Sequence, residues 1–276
     1  MKIHFATIAQ LPVPVRLGCF ILVLLLLWLP VTIPIYLLIK NDNQVTIFTM
    51  MWLAVEFLMF LPFWGKYIHQ QPRIFHHYGL ETTRQNGVEL LKGLAIGFLS
   101  ILILFILEGW LGWLVWHKSD SFLLRIILEG IITALGTAFA EELFFRGWMY
   151  DELQRDYHPS TVLWTVAIIF AAAHFIKPWS EVIRTLPQFL GLLLLGVLLV
   201  RAKRCKRGRL GLAIGMHAGL IWGWYIINVG QLVKYSGRVP DWVTGVNNNP
   251  LAGLMGLAFL VVLGLGIPNT SGRSRF

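Results

Sequence analysis

Charged side chains are scarce in this chain of 276 residues. Asp, Glu, Lys and Arg together make up 13% of the sequence, against about 25% in an average soluble domain. Hydrophobic residues make up 57%, and several apolar runs approach the ~20 residues that a helix needs to cross a bilayer. The scarcity of charge excludes an ordinary water-soluble globule. The sequence therefore predicts an all-α fold, a polytopic membrane bundle of helices.

Cysteines and acidic residues are also few. The two cysteines, Cys19 and Cys205, lie at the start of the first apolar run and in a basic loop, which excludes a disulfide framework and a cysteine-based metal cluster. Fourteen acidic against 23 basic residues give a net charge of +9. In a membrane protein such an excess reflects loops that face the cytoplasm and anionic lipid. We therefore expect the lipid bilayer as a partner, and no nucleic acid.

The apolar runs predict eight membrane-spanning helices. Their approximate ranges are 18–39, 45–64, 91–116, 122–145, 162–176, 186–200, 210–229 and 251–267. Lys and Arg concentrate on the side that holds both termini, above all in segment 201–209, which is predicted to anchor the chain to anionic headgroups. By the positive-inside rule, both termini are predicted to face the cytoplasm, in the cell membrane.

Ionisable residues inside the predicted spans are functional candidates, because a charged group deep in lipid costs a few kcal/mol. Glu56, in the middle of the second span, has no assignable partner, and we expect a buried structural pair or a protonated carboxyl there. The other candidates are two glutamates, an arginine and two histidines on three helices: Glu141, Glu142, Arg146, His174 and His217.

Spacing along the chain indicates that these side chains can meet. Spans four and five are joined by a turn near residue 158, and Glu141 and His174 are almost equally far from it, so they face each other across an antiparallel helix pair. His217 lies ~12 Å inside the start of span seven. For its level to agree, the hairpin must project ~10 Å into the cytoplasm, and the polar segment 150–156 permits this.

Helical phase separates the two glutamates. Glu142 and Arg146 are at positions i and i+4, the spacing of a side-chain ion pair. Glu141 lies about 100° around the helix and has no cation nearby in the sequence. An ion pair makes a carboxylate a poorer base, whereas an unpaired carboxylate in a low-dielectric cleft is a stronger one. The pattern therefore favours Glu141 as a general base and Glu142 with Arg146 as a structural brace.

The same residues resemble the motifs of a known family. The run Glu141-Glu142-Leu-Phe-Phe-Arg146 is similar to the EExxxR motif of the CPBP family, the CAAX prenyl proteases and bacteriocin-processing proteins, also called Abi. Phe170-Ala-Ala-Ala-His174 matches the second motif, FxxxH, and His217 falls where a third histidine motif begins. The resemblance covers about residues 127–229. It divides the chain into N-terminal transmembrane helices (1–121), a CPBP-type protease core (122–230), and a loop with the last transmembrane helix and a cytoplasmic tail (231–276).

The resemblance implies an intramembrane endopeptidase that hydrolyses a peptide bond of a membrane-associated or prenylated protein or peptide. It assigns water activation to Glu141, a second active-site position to His174 and oxyanion binding to His217, while Glu142 and Arg146 hold the helix end. One position departs from the family. The third motif often reads HxxxN, but Ile221 stands where the asparagine would be.

Two other classes of function are considered. The first is a non-catalytic membrane scaffold or immunity-type partner-binding protein of the same fold. The second is a proton-coupled transporter, which usually shows repeated halves that this sequence lacks. A zinc site of His174, His217 and Glu141 has the right ligand count, but the HExxH spacing is absent, so we favour no metal cofactor. The run 247–250, before the last span, is predicted to form a turn and a helix start.

Overall fold

The computed structural model describes residues 5–119 and 122–268. The predicted cytoplasmic tail, residues 269–276, lies outside these ranges, as does the extreme N-terminus. The helices are α1 (Val13–Leu38), α2 (Asp42–Tyr67), α3 (Ile74–His77), α4 (Arg84–Trp110), α5 (Leu123–Glu142), α6 (Tyr150–Gln154), α7 (Pro159–Ala173), α8 (Trp179–Thr185), α9 (Phe189–Cys205), α10 (Gly211–Val229), α11 (Asp241–Thr244) and α12 (Leu254–Gly266). Leu143–Met149 forms a π-helix between α5 and α6, and short 3-10 turns occupy Phe5–Gln10, Leu186–Gln188, Val246–Asn248 and Pro250–Ala252.

The predicted polytopic all-α bundle is confirmed. Within the described residues, six helical segments are long and apolar enough to cross a membrane: Val13–Leu38, Asp42–Tyr67, Arg84–Trp110, Leu123–Gln154, Trp179–Cys205 and Gly211–Val229. The fifth and eighth predicted spans correspond to α7, with 15 residues, and α12, with 13. Both are shorter than the ~20 residues of a full crossing, so the number of crossings stays a prediction, as does the orientation of the termini.

The third predicted span ends too late. Helix α4 stops at Trp110, where the Trp113 N–H donates to the Glu108 carbonyl oxygen at 2.9 Å, a helix-ending Schellman bond. The following residues form strand β1 (Leu114–Trp116), which pairs antiparallel with β2 (Val233–Tyr235). The prediction includes the apolar run 111–116 in the helix, because hydrophobicity alone does not distinguish a short strand from the end of a helix.

The chain divides into two compact units. The first contains the described residues up to Tyr78 together with Asp151–Asp156, and the second contains Gly79–Tyr150 and the described residues from Tyr157 onward. Helix α4 therefore belongs to the same unit as the described residues of the predicted protease core, except Asp151–Asp156. The functional boundaries drawn at residues 121 and 230 stay a prediction.

Close backbone contact between α4 and α10 organises the second unit. A Cβ atom on Gly93 would lie 2.5 Å from the Leu212 carbonyl oxygen, and one on Gly215 would lie 2.0 Å from the Leu90 carbonyl oxygen. Only glycine permits this approach, in the manner of small-residue interfaces between membrane helices. The contact fixes the position of α10, which carries His217.

Two basic residues of segment 201–209, Lys203 and Arg209, are buried in the protein. The Lys203 ammonium donates to the Arg146 carbonyl oxygen, and Arg209 forms an ion pair of 2.6 Å with Glu89. Lys203 and Arg209 are only 5% and 8% exposed. The expectation that this run contacts headgroups is wrong for these two residues, because each has an acceptor inside the protein.

A buried carboxylate is at the centre of the first unit. Glu152 is fully buried, and its Oε2 accepts a hydrogen bond from Arg16 Nε at 2.8 Å. Its Oε1 accepts from Trp64 Nε1 at 2.7 Å and lies 2.5 Å from His69 Nε2. Asp151 is also buried. Both side chains therefore face the protein interior, where Glu152 has partners more than 80 residues away in the sequence. The projection of segment 150–156 into the cytoplasm stays a prediction.

Glu56 is a third buried acid of this unit. It is 4% exposed, and neither carboxyl oxygen has a hydrogen-bond partner among the described residues. The predicted structural pair is not found in this part of the chain. A protonated carboxyl stays the prediction, since an isolated charge in an apolar interior is costly.

Replacement of Glu152 tests the buried network. Glu152→Ala should lower the yield of folded protein and its melting temperature, because Arg16 then loses its fully buried counter-ion and keeps only the partly exposed Asp156, while Trp64 loses its acceptor. Thermal unfolding of the purified protein in detergent measures the change. The control is Glu181→Ala, which removes an exposed ion pair with Arg184 and should change little. Equal melting temperatures for both variants would contradict the assignment.

Candidate active site

The two candidate glutamates stand at the junction of α5 with the π-helix. Glu142 is the last residue of α5, and the π-helix Leu143–Met149 follows at once. Hydrogen bonds from i to i+5 widen the helix there, and such segments occur frequently at functional sites. Arg146 lies inside the π-helix, and both Arg146 and Glu142 are fully buried.

The predicted ion pair between Glu142 and Arg146 is confirmed. Arg146 Nη1 donates to Glu142 Oε1 at 2.9 Å, and Nη2 donates to the Gly196 carbonyl oxygen of α9 at 3.2 Å. The guanidinium carbon lies 4.1 Å from the centre of the Phe170 ring of α7, a cation–π distance. Arg146 thus connects α5 with α7 and α9, and its buried charge has both a counter-ion and further acceptors, as a buried ion pair requires.

Glu142 has a second partner, His217, which sequence reasoning missed. His217 Nδ1 lies 2.9 Å from Glu142 Oε1, the same oxygen that Arg146 contacts. An ionised carboxylate only accepts, so Nδ1 carries the hydrogen and Nε2 is the ring atom left for chemistry. His217 Nε2 lies 3.9 Å from Glu141 Oε2. Glu142 therefore orients the histidine as well as bracing the helix end.

His174 is held in a comparable way by a backbone carbonyl. Helix α7 ends at Ala173, three residues before the end of the predicted fifth span, and His174 caps the helix. Its Nδ1 lies 2.8 Å from the Phe170 carbonyl oxygen, which can only accept. The Phe170 ring also packs against both histidine rings, with centroids 4.8 Å from His174 and 5.9 Å from His217. The spacing of the FxxxH motif thus places the phenylalanine between the two histidines.

The three predicted active-site residues line one cavity of about 270 Å³. Glu141 comes from α5, His174 from the end of α7 and His217 from α10. The Glu141 side chain is 28% exposed, and its Oε2 is buried without a hydrogen-bond partner among the described residues. The remaining wall is mostly apolar and includes Ile101, Leu104, Leu192, Leu195, Leu220, Ile221, Trp224, Leu251, Phe259, Leu260 and Leu263.

Two amide side chains also line this cavity and were not singled out from the sequence as site residues. Gln188 comes from the 3-10 turn before α9, and Asn249 from the turn before α12. Asn249 Oδ1 accepts from the Leu251 N–H at 2.9 Å, which confirms the predicted turn and leaves the amide nitrogen for another partner. Ile221, which stands at the asparagine position of the third motif, lines the cavity as well.

Metal ligation has no ready-made site in residues 5–119 and 122–268. There, no three His, Cys, Asp or Glu side chains converge closely enough to hold a metal ion. Both cysteines, Cys19 and Cys205, are free thiols. Whether Glu141, His174 and His217 bind zinc stays untested by this geometry, since ligands can close around an ion when it binds.

A family comparison agrees with the motif resemblance. The family model described as type II CAAX prenyl endopeptidase Rce1-like matches residues 123–223, which confirms the resemblance predicted from the sequence. The matched range contains the five residues predicted from the sequence motifs: Glu141, Glu142, Arg146, His174 and His217. No curated protein and no solved structure gives a significant match to the chain.

Replacement of Glu142 tests its double role. Glu142→Gln should lower the melting temperature and the folded yield, at a cost of roughly 3–5 kcal/mol, because Arg146 is left buried without its counter-ion. The matched control is Glu129→Gln on the same helix, where Glu129 pairs with Arg125 at the same i, i+4 spacing but in an exposed position. Thermal unfolding should separate the two variants clearly, and an equal loss in both would argue against the brace.

Proposed function

We propose that this chain is a CAAX-type intramembrane endopeptidase that hydrolyses a peptide bond of a membrane-associated or prenylated protein or peptide. The observation that carries the proposal is the convergence of Glu141, His174 and His217, from three helices, on one largely apolar cavity. The family match supports hydrolase chemistry of this class. The proposal includes a cell-membrane location with both termini in the cytoplasm.

Glu141 is the proposed general base. Glu141 lines the cavity, and its Oε2 has no hydrogen-bond partner among the described residues, so its carboxylate can accept a hydrogen bond from a water molecule bound there. As the water oxygen bonds to the carbonyl carbon of the substrate, one water proton passes to Glu141. The carbon–nitrogen bond then breaks, and Glu141 returns this proton to the leaving amine. A single carboxylate thus serves as base and then as acid, with no net change in the enzyme.

The partners of the two histidines suggest different roles. His174 donates its Nδ1–H to a neutral carbonyl, and in the neutral ring Nε2 then presents a lone pair. That lone pair can accept the second hydrogen of the attacking water and orient it. His217 faces a carboxylate through Nδ1. In its imidazolium form it donates through Nε2 to the oxyanion, with Glu142 as the counter-charge.

The cavity wall favours an apolar substrate segment. Leucine, isoleucine and phenylalanine side chains form most of the surface around Glu141. A lipid-linked or membrane-embedded peptide brings apolar groups that such a surface can bury, at about 25 cal/mol per Å². The same wall limits entry of bulk water, which strengthens hydrogen bonds to the oxyanion.

Replacement of Glu141 is the direct test. Glu141→Gln should abolish cleavage of a farnesylated reporter peptide with a CAAX ending, while the melting temperature stays unchanged because amide and carboxyl are nearly isosteric. Proteomics of the membrane fraction, wild type against Glu141→Gln, should in parallel show loss of processed termini in the variant. The exposed Glu129→Gln variant should cleave like wild type.

Each arm has an outcome that contradicts the proposal. Cleavage retained by Glu141→Gln would refute Glu141 as the base. If wild type and variant give the same proteome and neither cleaves the reporter, the scaffold or immunity-type function takes its place.

Metal removal is a separate test. If Glu141 activates water without zinc, exhaustive chelation should leave cleavage unchanged, and elemental analysis should give well under one metal ion per chain. Loss of cleavage on chelation, restored by one equivalent of zinc, would instead support ligation by His174, His217 and Glu141.

A further inference from the structure

A second cavity, of about 470 Å³, lies beside the two-stranded sheet. Its polar lining comes from the segment after β1, the end of α10 and the residues that follow it, strand β2 and the 3-10 turn Val246–Asn248: His117, Lys118, Asn228, Gln231, Lys234, Tyr235 and Asn248. Trp224 lines both this cavity and the candidate active site. None of the polar residues that line this second cavity has a role in the proposed hydrolysis.

The charged side chains described in the lining of this cavity are all basic. Lys118 and Lys234 contribute two ammonium groups and His117 an imidazole, and no Asp or Glu is among the described lining residues. Neither lysine has an ion pair or hydrogen bond with a described residue. Asp120, the nearest acid in the sequence, lies outside the described residues. Cationic groups without counter-ions in a concave site favour an anion.

Two buried donors in the cavity wall also lack acceptors. Tyr235 Oη and Trp224 Nε1 are both buried and unpartnered among the described residues. Burial, and to a lesser extent the nearby Glu108 carboxylate, raises the pKa of the Tyr235 phenol well above its ordinary value, so the phenol keeps its hydrogen. Buried donors normally have acceptors. A ligand with several anionic oxygens, such as a phosphoryl group, would provide them.

The position of the cavity points to a lipid. It lies where α4 and α10 end, at Trp110 and Val229, and helix ends are the level of the headgroups. Exposed aromatic side chains surround this level, with Trp110 81%, Phe122 71% and Trp116 42% exposed, as in an interfacial aromatic belt. We infer that this cavity binds the phosphate of an anionic phospholipid headgroup. The inference is independent of the proposed protease activity.

Lipid titration of the full chain tests the site. Delipidated protein in a neutral detergent is titrated with phosphatidylglycerol, phosphatidylcholine or soluble glycerol phosphate, and binding is followed by native mass spectrometry and by the shift in melting temperature. We expect saturable binding of phosphatidylglycerol with one tight equivalent. The Lys118→Gln/Lys234→Gln double variant should lose roughly 20-fold in affinity, since a lysine near an anionic surface contributes about fivefold.

Matched variants separate the site from general charge effects. Lys40→Gln/Lys66→Gln removes two exposed lysines outside the cavity and should bind like wild type. Tyr235→Phe, which removes one hydroxyl, should weaken binding several-fold and provides a test independent of the lysines. Equal affinity for phosphatidylcholine, or unchanged affinity in both the double variant and Tyr235→Phe, would overturn the inference. Glycerol phosphate that binds as tightly as the lipid would overturn the lipid as the source of the phosphate.

Discussion

The buried carboxylate of Glu142 is the interaction on which the rest of the candidate site depends. A single oxygen, Oε1, contacts both Arg146 and His217 at 2.9 Å. Because a buried charge must be compensated, Glu142 and Arg146 are required together, and the same carboxylate fixes the ring of His217. Through Arg146 the carboxylate is also connected to the Gly196 carbonyl of α9. The structural brace and the contact that orients His217 therefore belong to one network.

The first compact unit contains a buried network of the same chemistry. Glu152 is shared by Arg16 and His69, as Glu142 is shared by Arg146 and His217. In each case a buried glutamate forms an ion pair with an arginine and also contacts a ring nitrogen of a histidine. In the second network the histidine also lines a cavity, together with Glu141, whose Oε2 has no hydrogen-bond partner among the described residues. A buried ionic network by itself is therefore not a sign of catalysis.

Close packing of α4 and α10 sets the position of this histidine. Glycines on both helices let the backbones approach, so His217 reaches Glu142 while Ile221, one turn later, lines the cavity. Amides from Gln188 and Asn249 line the same space from other elements. The polar groups around the candidate oxyanion site thus come from helices and turns that no single motif contains.

The helical bundle and the ion pair of Glu142 with Arg146 were predictable from the sequence, because apolar length and i, i+4 spacing are local properties of one helix. The sequence also pointed to Glu141, His174 and His217, which the fold places around one cavity. Two contacts are visible only in the tertiary structure. His217 binds Glu142, 75 residues away, and Glu152 is buried against Arg16, 136 residues away. Contacts of this kind depend on which helices pack together, and that choice follows from the summed burial and close packing of the whole chain rather than from the pattern of any one segment.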